Sequence, residues 1–364
     1  MRIGQLPVGP VTWRQPGSGH PRWQGSRWRA AAVTAVTIAL AGALGVTVTA
    51  CSGSGRTLTG PAAGAQQVPV FPASSLAPAS GALFGASVQA TGYSGRDADQ
   101  AAVAAFERTV GRKLAINNLY MPWTGPMPWA TARWDLARGT IPMITWAGAR
   151  ARQIAAGADD AAIRAQALQF KALRAPVLLR WFAEMDLRQN RADAVSPVTF
   201  TAAWRRMYGI FRRAGATNVR WVWCPDGTGF ARHTSQAYYP GNAYVDWICA
   251  DGYNWAPALP GASWSSFQEI FTPFYEWGLS TGKPMLIGEF GTVEGAPGAK
   301  AAWFTQADRT IRTQFPGIRA VVYFESDHQN FGRYFNWSVT SSWSALAAFR
   351  AFAHDPYFSA SPPT

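Results

Sequence analysis

Lysine, cysteine and clustered metal ligands are what this chain has least of. Of its 364 residues only four are lysine (Lys113, Lys171, Lys283 and Lys300), three cysteine and four histidine. The histidines are dispersed, and no His/Cys/Asp grouping has metal-ligand spacing, so neither a metal nor another cofactor is expected. A net charge of +13 raises the question of nucleic acid, but the excess is not gathered into a basic run. Five arginines (Arg2, Arg14, Arg22, Arg27, Arg29) precede residue 51 with no acid beside them, and the rest are scattered. No nucleic-acid partner is expected from so diffuse a charge. GxGxxG is missing, which argues against a dinucleotide-binding doubly wound sheet. A Cys–His pair with a credible third member is missing as well.

What is present begins with the N-terminus. Arg27 and Arg29 precede an uncharged run of small and apolar residues, Ala30 to Ala50, ending at Val48-Thr49-Ala50-Cys51. A positive flank, an apolar core and small residues before a cut site describe a secretory signal. Cysteine at the cut position resembles the bacterial lipobox, which implies Cys51 as the lipid attachment point and an uncleaved membrane anchor as the alternative. The chain is then expected outside the cell membrane, lipid-anchored or secreted. Residues 52–80, rich in Gly, Ser, Ala, Pro and Gln, read as a flexible tether. Cys224 and Cys249 fall in neighbouring predicted strands and are expected to be buried free thiols.

From Ala82 short β-prone runs alternate with helical patterns. The strands are expected at Leu83–Val88, Leu114–Leu119, Pro142–Trp146, Val177–Ala183, Val219–Cys224, Val245–Gly252, Pro284–Phe290 and Ala320–Phe324. Helices are expected between them at Asp97–Val110, Asp159–Leu173, Pro197–Ala214, Ser265–Leu279, Lys300–Thr313 and Ser342–Ala353. Eight such units predict a single (β/α)8 barrel over residues 81–356, followed by a short tail, 357–364.

In that fold active-site residues stand at the C-terminal ends of strands. Two apolar runs deliver a glutamate there: Pro176-Val-Leu-Leu-Arg-Trp-Phe-Ala-Glu184-Met-Asp186 on strand four and Lys283-Pro-Met-Leu-Ile-Gly-Glu289-Phe-Gly291 on strand seven. Glycoside cleavage needs two carboxyl groups of unlike protonation, one to donate to the leaving oxygen and one to attack the anomeric carbon. Taken singly, Glu184 also fits an ion pair with Arg180, and Glu289 a loop cap. The pair at these two ends fits catalysis better.

These stretches, RWFAEMD and KPMLIGEFG, resemble the acid/base and nucleophile motifs of glycoside hydrolase family 26. Tyr238 to Trp255 resembles its strand-six region, and LFGASV at Leu83–Val88 its opening strand. The resemblance implies Glu184 as acid/base, Glu289 as nucleophile, Tyr253 as the tyrosine that orients the nucleophile, and Arg180 as a supporting arginine inside the barrel. It departs from the family at Ala183, where histidine is usual, at Asp186, where asparagine is usual, and at Leu187–Arg191, which lacks the usual tryptophan. Tyr323 and Phe324 stand where strand eight often carries tryptophan.

Fifteen of the 18 tryptophans lie in the barrel region, and flat rings suit the apolar faces of sugars. Trp123, Trp146, Trp181, Trp223 and Trp255, at or just past strand ends, are candidate substrate platforms with Tyr323 and Phe324. Core packing is the competing role for each. Trp204, Trp277, Trp303 and Trp343, within helices, are expected to pack. The loop from Asp327 to Asn330, and Asp226 and His233, are lesser candidates for substrate hydrogen bonds. The expectation is a retaining, endo-acting, monomeric β-glycanase on a polysaccharide, β-1,4-mannan first. β-1,3-1,4-glucan, β-1,3-xylan, a cell-envelope glycan, or a glycan-binding lipoprotein without turnover remain as alternatives.

Overall fold

The computed structural model describes residues 75–361, apart from residues 91, 96, 149, 328, 331 and 332 and the side chains of residues 329, 330 and 333. The signal segment, Cys51, residues 52–74 of the tether and His328 lie outside that range.

Eight parallel strands close into a barrel in sequence order: β1 Leu83–Val88, β2 Ile116–Pro122, β3 Ile141–Ala147, β4 Val177–Trp181, β5 Val219–Trp223, β6 Trp247–Asn254, β7 Met285–Thr292 and β8 Ile318–Glu325. The (β/α)8 expectation is met. Closure runs through β8 against β1, paired from Leu83↔Ala320 to Val88↔Glu325. Helices cover the outside. Pro197–Ala214 has the expected bounds for local reasons: Ser196 accepts from the Thr199 amide, Pro197 occupies the first turn, and Gly215 ends the helix at φ 76°. Phe267–Leu279 starts with a capping box between Ser266 and Glu269. The irregular connection after β2 contains a helix, Trp129–Ala137.

Alternation along the strands decides what faces the lumen. Leu83, Ile116, Met143, Leu178, Val222, Trp247, Leu286 and Val322 share the interior cluster, while Phe84, Ile144, Leu179, Trp223, Ile287 and Val321 pack outward under the helices. Leu76 and Ala77 belong to the interior cluster, and the Trp247 indole donates to the Ser75 carbonyl at 2.6 Å. Residues 75–77, expected in the tether, are therefore part of the barrel. Phe358, expected in the tail, is buried against Phe84 and Phe352.

Two further expectations are corrected. Cys224 and Cys249 form a disulfide, with Cα atoms 4.3 Å apart. Adjacent strands lie about 4.8 Å apart, so two cysteines level with one another and both facing the lumen are within bridging reach. Trp204 and Trp303 pack as expected, but Trp343, at the first turn of Trp343–His354, is 89% exposed. It begins that helix beyond the core-facing stripe of Leu346 and Phe349.

Candidate active site

A β-bulge aims Glu289. Along β6 and β7 the register runs Ala250↔Ile287 and then Asp251↔Glu289, so Gly288 is the extra residue. Only glycine fits there. A Cβ would lie 2.7 Å from Asp251 Oδ1 and 2.8 Å from Cys224 Sγ. The bulge resets the alternation and turns Glu289 into the mouth, while Phe290 packs outward on Trp303 and Tyr323.

Three donors hold the Glu289 carboxylate. Arg180 Nη2 and the Tyr120 hydroxyl both bond Oε1, and the Tyr253 hydroxyl donates to Oε2 at 2.6 Å. Burial, followed by the Glu289 charge, pushes both tyrosines well above the ordinary phenol range, so they remain protonated donors. Arg180 is fully buried and divides its fork: Nε to Thr145 Oγ1 at 2.8 Å, Nη1 to both Asp251 oxygens at 2.9 Å, Nη2 to Glu289. The arginine four residues before Glu184 thus pairs with Glu289 and Asp251.

Glu184 is delivered differently. It lies past the end of β4 in a turn, with φ 56°, two residues after Phe182 at φ 48°. Such left-handed non-glycine backbone costs about 1–3 kcal/mol per residue and concentrates at functional sites. The turn is tied down by the Glu184 amide on the Cys224 carbonyl at 2.8 Å and by Asn190 Nδ2 on the Glu184 carbonyl at 2.8 Å. Among the described residues no donor bonds its carboxyl group. Burial, then the negative charges of Glu289, Asp226 and Asp186, with Arg180 opposing, hold Glu184 well above the usual carboxylate range. The two glutamates are thus set apart: one is fixed by a cation and two phenols, the other is favoured in its protonated form.

The aromatic candidates divide. Trp123 and Trp255 are half-buried at the mouth. Trp123 stacks on Trp146 at 4.4 Å, and Trp255 packs against Tyr253 and Trp337 at 5.2 and 5.1 Å. Phe324 is also half-buried, edge-on to Tyr253. Trp146, Trp181, Trp223 and Tyr323 are not platforms. Each is at most 1% exposed: Trp181 stacks on Phe200, the Trp223 indole bonds the Tyr238 carbonyl, and Tyr323 bonds the Trp337 carbonyl. A ring enclosed on all sides offers no face to a sugar. Tyr120, Asp251, Phe335 and Trp337 were not singled out from sequence. For the first two the signal existed, since each is a polar residue near the top of an apolar strand with inward parity.

Removing one donor tests the arrangement. Tyr253→Phe is expected to lower kcat on the order of 10²-fold with a smaller change in KM. Unchanged steady-state constants would show that this hydroxyl does not matter to Glu289.

Comparisons with known proteins bear on the family and the fold. The profile of glycosyl hydrolase family 26 matches residues 144–308, a stretch that holds both glutamates. Among curated proteins, Endoglucanase H from Acetivibrio thermocellus is 33% identical over 273 residues, covering 70% of this chain and 29% of that protein. Mannan endo-1,4-β-mannosidase A and B from Caldalkalibacillus mannanilyticus is 28% identical over 120 residues, covering 33% of this chain and 21% of that protein. The chain thus spans less than a third of the length of either curated relative. Among solved structures, a Cellulomonas fimi endo-β-1,4-mannanase double mutant superposes with TM-score 0.57 at 18% identity, covering 76% of this chain and 71% of that one. A family 26 β-mannanase from Bacteroides ovatus gives TM-score 0.57 at 16% identity, covering 76% and 90%. At these identities the superpositions speak for the barrel fold.

Proposed function

We propose that this protein is a retaining endo-β-glycanase, with Glu289 as nucleophile and Glu184 as acid/base. The observation that carries the reading is the opposite treatment of the two carboxyl groups. Glu289 attacks the anomeric carbon as the glycosidic C–O bond breaks, and the Glu184 proton goes to the leaving oxygen. Water then gives its proton to Glu184 and its oxygen to the anomeric carbon, which frees Glu289. Two inversions restore the β configuration. Proton NMR of the first product should show the β anomer, mutarotating to the equilibrium mixture afterwards. Initial appearance of the α anomer would exclude a covalent intermediate on Glu289.

For the substrate, acidic groups outnumber cations at the mouth: beside the protonated Glu184, Asp186, Asp226, Asp251 and Glu289 surround one buried guanidinium, Arg180. A neutral backbone suits this field better than a polyuronate. The relative that matches 70% of the chain is named an endoglucanase and the shorter match a mannosidase. β-1,4-linked glucan and β-1,4-mannan, assayed side by side with product analysis, are therefore the substrates to compare first.

The N-terminal pattern supports lipid anchoring at Cys51 on the outer side of the cell membrane. Several acyl chains hold a protein stably where one binds marginally. Cys51→Ser is expected to move the protein from the membrane fraction to the medium or leave it unprocessed. An unmodified Cys51 within an intact N-terminus, seen by mass spectrometry, would reject the anchor.

A further inference from the structure

The β5 end carries a carboxylate for which the double displacement has no use. We propose that Asp226 is a further positioning residue of this site, a fixed negative charge built into the top of β5 beside Glu184; the proposal rests on the glycosidase reading above.

The placement follows from a chain of contacts. The Glu184 amide bonds Cys224 O, so the acid/base turn rides on the end of β5, two residues before Asp226. Asp186, two residues past Glu184, reaches back across the same gap. Its Oδ1 accepts from the Asp226 amide at 2.9 Å and its Oδ2 from Ser235 Oγ at 2.5 Å. On the other side Asp226 bridges to Asp251 of β6, with the Gly227 amide on the Asp251 carbonyl at 2.7 Å and the Asp251 amide on Pro225 O at 3.2 Å. The Asp226 carboxyl is then fixed by its own turn, Oδ1 accepting from the Thr228 amide at 2.9 Å and from the Thr228 hydroxyl. The backbone of Asp226 is thus locked to the loop that carries the acid and to the strand that pairs with Arg180. Asp186, where family 26 usually has asparagine, is the clasp.

The charged groups around Glu184 are Glu289 from β7, Arg180 from β4, Asp226 from β5, Asp251 from β6 and Asp186 from its own loop. Burial raises the Asp226 carboxyl above its ordinary value, while its bonds to Thr228 and the facing Arg232 favour the charged form. Asp226 raises the cost of ionising Glu184, so it keeps the proton in place to higher pH. Neutralising it releases the proton earlier. The sign is therefore fixed: the alkaline limb of activity moves down in pH when the charge is removed.

The experiment is the pH dependence of kcat/KM for the intact protein on the glycan it cleaves best. For Asp226→Asn, which retains an acceptor for Thr228, the alkaline limb is expected to fall by about one pH unit, with the acid limb in place. Asp226→Ser, which lacks the charge and remains small, should show the same shift and serves if the amide variant does not fold. Asp226→Glu, which keeps the charge, should leave the limb near its original position. An alkaline limb that does not move when the charge is removed overturns the proposal. A change in KM alone, with both limbs fixed, also overturns it and makes Asp226 a substrate ligand. Failure of the underlying reading shows elsewhere, as full polysaccharide hydrolysis by Glu184→Gln.

Discussion

Glu289→Ala is expected to lose polysaccharide hydrolysis by on the order of 10⁴-fold or more, as enzymes do when the attacking group is removed. Glu184→Ala should lose comparably on polysaccharide, but the two variants part company on an activated substrate. A nitrophenolate leaves with little protonation, so Glu184→Ala still forms the glycosyl-enzyme on Glu289. That intermediate then waits for a base it no longer has. Azide needs no deprotonation, so adding it should restore turnover and give the β-glycosyl azide. Glu289→Ala has no group to attack, and a better leaving group does not help. Azide enters only from the vacated side and gives the α-glycosyl azide. The same azide anomer from both variants, or undiminished polysaccharide hydrolysis by either, would mean that the wrong residues carry the chemistry.

The environment of each glutamate explains why the two losses differ in kind. Glu289 sits among Arg180, Tyr120 and Tyr253, which fix its orientation. Glu184 is held by backbone, through Cys224 O and Asn190, which leaves its carboxyl free for the proton exchange proposed for it.

Strand order and both glutamates could be read from the sequence because apolar runs and the acids that end them are local signals. The rest follows from the two-residue period of each strand, carried through to its end. Arg180 points into the lumen, so Trp181 must point out. Thr145 bonds Arg180, so Trp146 must point out, and Val222 likewise sends Trp223 outward. The same parity places Tyr120 and Asp251 inside. Glu289 breaks it through the bulge at Gly288, and no sequence period announces a bulge. The Cys224–Cys249 bond follows from the level at which β5 and β6 pair, which alternation alone does not give. Trp343 illustrates the converse: position in a helix says little about burial when the residue stands in the first turn. Asp186 read as a departure from a motif, and only the fold shows it spanning to Ser235 and the Asp226 amide.

Arg180→Met should be the most destabilising single change at the site. Asp251 is fully buried and its cation is Arg180, whose guanidinium also serves Glu289 and Thr145. Breaking a buried ion pair from one side leaves a charge without its partner and costs about 3–5 kcal/mol. Chemical denaturation of the intact chain should show that loss as a lower midpoint. Part of it should return in Arg180→Met/Asp251→Leu, where no uncompensated charge remains, while activity stays lost because Glu289 has lost its cation. Arg180→Lys separates charge from shape. An ammonium can face Asp251 or Glu289, but it cannot offer the planar fork that reaches Thr145, Asp251 and Glu289 at once. Stability should then fall less than in the methionine variant, while kcat still drops on the order of 10²-fold. If Arg180→Met unfolds at the wild-type midpoint, the ion pair does not stabilise the barrel. If Arg180→Lys retains full kcat, charge alone suffices at Glu289 and the geometry of the fork is not what positions the nucleophile.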